Sequence, residues 1–175
     1  MKSRFVLPLL VLLVALSLTT VEARELLVEA TDAVVIRGPA ASQDARLLMK
    51  FPLPEILTGG CVDFACAEFE VACKGVKGPV SLEAFRITRA WDGTSAGWAQ
   101  PWIKAGGDWD SEASVDYVVP SGEGKAVYLN ITDFVNGWLS EPSSNFGILV
   151  KVSGPFTGTF SSEKPQGVPR LRILY

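Results

Sequence analysis

The strongest constraint on this chain is a repeated alternation of apolar and polar side chains in short segments. In "RLLMKFPL" (46–53), Leu47, Met49, Phe51 and Leu53 take one side, and Arg46 and Lys50 take the other. A period of two places alternate side chains on opposite faces of a strand. The same pattern predicts strands at "AVVIR" (33–37), "VDFACAEFEVAC" (62–73), "VSLEAFRIT" (80–88) and "SVDYVV" (114–119). Further strands are predicted at "KAVYLNI" (125–131), "FGILVKV" (146–152), "TGTF" (157–160) and "PRLRILY" (169–175). Gly-, Pro-, Ser- and Asp-rich runs such as "TGG", "KGVKGP", "PSGEG" and "EKPQGVP" separate them. The alternation changes phase near Ala84-Phe85, where a bulge is expected.

One stretch has helical spacing. In "NITDFVNGWL", Thr132 is placed to cap a helix, with Asp133 in the first turn. Phe134 and Trp138 then share a side, with Val135 and Leu139 beside them. Eight or nine short strands and one helix near 132–139 predict an all-β, antiparallel two-sheet β-sandwich, a jelly roll. Nothing alternates β with α, so a doubly wound parallel sheet is not expected.

The N-terminus reads as an address. Lys2 and Arg4 precede an apolar run from Phe5 to Leu18, and Val21-Glu22-Ala23 has the form of a cleavage site. The run is shorter than the roughly 20 residues that span a bilayer. Residues 1–23 are therefore expected to be a cleaved signal peptide and 24–175 a single domain. The expected location is secreted or extracellular, with the periplasm or cell surface included. The mature chain keeps 14 basic and 18 acidic residues, a net charge of −4. These charges are scattered and form no basic stripe, so nucleic acid is not an expected partner. No segment of the mature chain has the length and apolarity of a membrane span.

The chain has no histidine. That removes Ser–His and Cys–His nucleophilic pairs, His metal ligands and the usual base near neutral pH. Cys61, Cys66 and Cys73 are an odd set for an oxidising compartment. Cys66 and Cys73, if on one strand, lie about 23 Å apart at roughly 3.3 Å per residue, too far for a disulfide. Cys61–Cys66 needs the chain to turn back at Gly59-Gly60. The reading taken is reduced, buried cysteines, and a dimer through an unpaired thiol stays open. No zinc spacing is present.

Several spaced segments occur in order: "RLLMKFPLP", "CAEFEVAC", "FRITRAWDGTSAGW", "VYLNITDFVNGWL", "NFGILVKV" and "PRLRILY". Together they resemble the DNRLRE-type extracellular β-sandwich domains over roughly residues 30–175. Some members of that family are carbohydrate-binding modules, and their sandwich is similar in outline to the jelly roll of transforming-growth-factor propeptides. Gly97 stands where a threonine is common in the family, and Asn130 where an aspartate is common. The resemblance implies that Trp91, Trp98 and Trp138 are framework.

Trp102 and Trp109 lie in "QPWIKAGGDWD", which is polar and Gly-rich and reads as a loop. Rings exposed there would stack on the apolar face of a sugar, with Gln100, Asp108 and Asp110 meeting its hydroxyls. The competing reading has both rings simply covering one end of the sandwich. "DWDSE" does not fit an EF-hand, and structural calcium elsewhere stays open; no other cofactor is expected. Asn130-Ile131-Thr132 is a formal glycosylation sequon, for which capping is the preferred explanation. The function expected is a secreted, non-catalytic module binding polysaccharide or cell-surface glycan. The alternatives are a structural or adhesion protein with a protein partner, and a polysaccharide lyase or hydrolase.

Overall fold

The computed structural model of the chain describes residues 23–40, 44–71, 78–120, 125–153 and 167–175. The strand expected at 157–160, Cys73 and residues 1–22 of the expected signal peptide lie outside the described residues. The described strands are β1 (Glu25–Glu29), β2 (Asp32–Arg37), β3 (Ala45–Lys50), β4 (Phe64–Val71) and β5 (Val80–Ile87). They continue with β6 (Trp109–Val119), β7 (Lys125–Asn130), β8 (Ile148–Ser153) and β9 (Arg170–Leu174). One α-helix, α1 (Thr132–Ser140), follows β7. β1 was not among the strands expected.

Two antiparallel sheets face each other. One has the order β1-β9-β4-β7 and the other β2-β3-β8-β5-β6. From β3 onward the chain crosses between sheets at every connection except β5–β6. This interleaving is the order of a jelly roll, with β2 added outside β3. The inner faces carry the alternate apolar side chains read from the sequence. Leu47, Met49 and Phe51 meet Ala67, Phe69, Val71, Leu82, Leu129 and Ile173 in one buried cluster. The opposite face of the four-stranded sheet is charged. There Arg172 Nε donates to Glu68 Oε1 at 2.5 Å, and Arg172 also pairs with Glu25. Arg170 stands 3.7 Å from Glu29, so both arginines occupy the solvated face expected of them.

The helix closes one end of the sandwich. Phe134, Val135, Trp138 and Leu139 are buried on it, and Trp138 is framework as expected. The Trp138 indole nitrogen is buried with no hydrogen-bond partner among the described residues. Asn136 ties α1 to the segment before β4, accepting from the Val62 amide at 2.8 Å and donating to its carbonyl at 3.2 Å.

Thr132 is not the cap. It is the first helical residue, and Ile131 precedes it. The side chain that caps the turn belongs to Asn130, whose Oδ1 accepts from the Thr132 amide at 3.1 Å and its hydroxyl at 2.7 Å. A threonine hydroxyl can accept as well as donate. That of Thr132 also accepts from the Ala65 amide at 2.9 Å, joining helix to strand.

Candidate functional site

The tryptophan-rich segment connects β5 to β6 across residues 88–108. It does not project as a free loop. It folds back over the outer face of the five-stranded sheet and covers one end of it. Beneath it, Leu48, Leu149 and Phe85 oppose one another across neighbouring strands, with Val34 paired to Leu48. Ile36, Leu48, Phe85, Ile87 and Leu149 form a second buried cluster with Trp91 and Trp102. Trp98, Trp109 and Phe146 pack against it. The end of the large sheet that carries Ile36, Leu48, Leu149 and Phe85 is therefore covered on both sides, whereas Ser81, Asp116 and Val118 leave the other end of that face exposed.

This cover explains the apparent change of phase at Ala84-Phe85. β5 keeps its alternation, but its outward residues Phe85 and Ile87 are buried as fully as its inward ones. A true irregularity lies next door, where the β5–β6 register shifts between Phe85 and Ile87.

Trp91 and Trp102 are each only 7% exposed. The Trp91 indole donates to the Phe146 carbonyl at 2.7 Å. That of Trp102 donates to the Gly97 carbonyl at 2.8 Å, inside its own loop. Each ring buries its apolar body and satisfies its one donor. The expectation of an exposed, ligand-stacking Trp102 is thus corrected. Its polar neighbours face water while the ring itself turns into the sheet. Trp98 and Trp109 are half-buried and hold Arg46 between them. The guanidinium carbon lies 4.7 Å from each ring centroid. Arg46 Nη1 also donates to the Gly106 carbonyl at 2.6 Å. Gly106 has φ +93°, and a Cβ there would run into that guanidinium. The loop is further tied to β2 through Asp32 Oδ1, which accepts from the Gly93 amide at 3.3 Å.

The two aspartates are engaged within the fold. Asp108 accepts from Arg89 Nε at 2.7 Å and from the amides of Ile103 and Lys104 at 2.8 and 3.0 Å. Burial opposes its ionisation, but those donors outweigh it and hold the carboxyl below its ordinary range. Asp110 is also held low, first by Arg86 at 2.7 Å and then by the Glu112 amide. Asp108 and Asp110 were expected as open acceptors for hydroxyls. Instead they anchor the loop and strand, because nearby N–H groups reach them first. Asp110 also lies within β6 rather than in a loop, as does Trp109. Gln100 is exposed, and its carbonyl accepts from the Gly97 amide at 2.9 Å.

A cleft of about 380 Å³ remains where the end of this cover meets β6. Trp109, Ile103 and Gly107 give it apolar wall; Thr88, Ser111, Arg89, Lys104 and Asp108 give it polar groups. Ile103 is 78% exposed, a large apolar side chain left in water at the cleft's edge. Of the five binding residues read from the sequence, Trp109 and Asp108 line this cleft. Trp102, Asp110 and Gln100 do not. Ile103, Lys104, Arg89, Thr88 and Ser111 were missed. Ile103 and Lys104 sit in the same quoted segment, and an isoleucine amid glycine and lysine was the available signal.

Two other hollows are more polar. One of about 520 Å³ lies between β6 and the start of α1, with Arg86, Glu112, Asn130 and Asp133 on its walls. The other, about 290 Å³, places Tyr128 beside Glu68, Glu70 and Arg170. Among the described residues, no group of three or more Cys, Asp and Glu side chains could hold a metal ion. No helix among them is long and apolar enough to cross a membrane. Both described cysteines are free. Cys66 is buried as expected, whereas Cys61 is exposed, in the turn region ahead of β4.

The chain matches no protein-family model and no curated protein in comparisons of its sequence.

Proposed function

We propose that this chain is a secreted, non-catalytic module that binds polysaccharide in the cleft between the 88–108 segment and β6. The observation that carries the reading is the exposed Ile103 beside the Trp109 wall, ringed by the hydroxyls of Thr88 and Ser111 and the ammonium of Lys104. A pyranose has one face of C–H bonds and a rim of hydroxyls. An apolar wall with a few convergent polar groups complements both. The surrounding cover is pre-formed, so little ordering is needed on binding. The order of motifs that resembles the DNRLRE-type domains supports the same reading, as does the expected export signal.

Calorimetric titration against a panel of neutral and charged cell-wall and algal glycans tests it. Ile103→Asp and Lys104→Ala change exposed side chains and leave the indole layer intact. Together they are expected to weaken a bound glycan by at least about tenfold, equivalent to about 1.4 kcal/mol. Unchanged affinity in the double variant removes the cleft from the account. Failure of every glycan to bind favours a structural or adhesion role with a protein partner.

A further inference from the structure

We propose that Asn130 carries an N-linked glycan and that its first sugar rests on the ring of Tyr128. Asn130-Ile131-Thr132 has the acceptor pattern, and Asn130 is exposed at the end of β7. Capping had appeared sufficient to explain both polar residues. The geometry separates the two roles by atom. Oδ1 of Asn130 accepts both donors of Thr132. Nδ2 has no partner among the described residues. Substitution at Nδ2 leaves Oδ1 in place, so the modified residue still caps the helix.

A second, independent feature points to a sugar. Tyr128 lies two residues earlier on the same outward face, about 6.8 Å along the strand. It is 54% exposed, so its ring is open to a sugar from the solvent side. Among the described residues β7 is the last strand of its sheet, so no described strand of that sheet lies beyond this pair. A phenol ring offers a flat apolar surface to the C–H face of the first sugar. The hollow that Tyr128 forms with Glu68, Glu70 and Arg170 lies farther along the same face.

The donor required is a lipid-linked oligosaccharyl diphosphate, met during export; the inference therefore rests on the export reading. Nδ2 attacks C1 of the first sugar. The N–C1 bond forms as the C1–O bond to the diphosphate breaks. The lipid diphosphate leaves with the electron pair, and Nδ2 gives up one proton. No oxidation state changes.

Translation of the full chain with endoplasmic-reticulum microsomes tests the assignment. The expected product is protected from added protease and enlarged. Peptide N-glycosidase should remove the added mass and leave aspartate at position 130. Asn130→Asp keeps Oδ1 and the cap, and is expected to be protected but not enlarged. A protected parent chain of unmodified mass overturns the glycan while sparing export. A chain that never becomes protected overturns both. Added mass that persists in Asn130→Asp also refutes the site. For the ring contact, the thermal midpoint should fall on glycan removal in the parent and stay unchanged in Tyr128→Ala. Equal falls in the two proteins refute it.

Discussion

Truncating Trp102 separates a buried ring from a ligand platform. A buried indole removes about 150–250 Å² from water, which at about 25 cal/mol/Å² corresponds to about 4–6 kcal/mol. Core truncations of tryptophan cost about 3–5 kcal/mol. Trp102 keeps only 7% of its area in solvent, so most of that range applies. It lies in a covering segment that can partly collapse, which favours the lower end, about 3 kcal/mol. A domain of this size loses about 2–4 °C per kcal/mol, giving a fall of about 6–12 °C for Trp102→Ala. Trp98→Ala is the comparison, because its half-buried ring loses less area from water and adds the contact with Arg46 at 4.7 Å. That contact is worth about 0.5–2 kcal/mol. Urea unfolding followed by circular dichroism reads both variants, with the slope expected to stay near the parent value. If Trp102→Ala unfolds within about 1 kcal/mol of the parent, the ring is not core and the account of the second apolar layer fails.

Gly147 has φ +85°, and a Cβ there would overlap the Met49 carbonyl oxygen. Gly147→Ala should therefore cost more than the about 1–3 kcal/mol of the dihedral alone. Gly59→Ala, at φ +76° with open space around it, should cost only that dihedral term, and paired urea titrations compare them. Asp110 has a depressed folded pKa, so its contribution is full above about 3.9 and is lost as pH falls through the lower folded value. Asp110→Asn should be less stable than the parent near neutrality by about 0.5–1 kcal/mol, and that gap should close on acidification; a gap constant with pH contradicts the pairing with Arg86. Burial, and then Glu68, push the Cys66 thiol up to about 11. Any stability it contributes is complete below the ordinary thiol range and is lost as pH rises toward that value. Peptide mapping after brief alkylation at neutral pH should find Cys61 labelled and Cys66 untouched; equal labelling would show that Cys66 is not enclosed.

The strands and the helix were legible because each buries one face against the opposite sheet. Leu47, Met49, Ala67, Phe69 and Val71 carry that alternation openly. The second layer was written less plainly. Leu48 follows Leu47 and Leu149 follows Ile148, so β3 and β8 carry short continuous apolar runs, and in β5 Phe85 directly follows Ala84. Such runs mark strands covered on both faces. Of the three, only β3 was assigned a single apolar face from its alternation, and the irregularity expected near Ala84-Phe85 of β5 lies between Phe85 and Ile87. Trp102 was misplaced for a related reason: in a segment that lies flat on a sheet, polar neighbours along the chain do not report where one ring points. The roles of Asp108 and Asp110 were hidden because their partners lie about twenty residues back along the chain, Arg89 at the start of the 88–108 segment and Arg86 in β5. Thr132 does not cap α1 because the helix begins at Thr132 itself; Ile131 holds the cap position, and Asn130 reaches forward from the residue before it to the Thr132 amide.

The doubly covered end of the sheet has a consequence for how the molecule opens. The amides around Leu48 in β3 and Leu149 in β8 pair with strands on both sides and lie between two apolar layers. Deuterium should reach them last, and only through whole-molecule unfolding. Lifting the 88–108 segment would expose their side chains but leave their ladder closed, so solvent access to the tryptophans and loss of backbone protection should occur as two separable events.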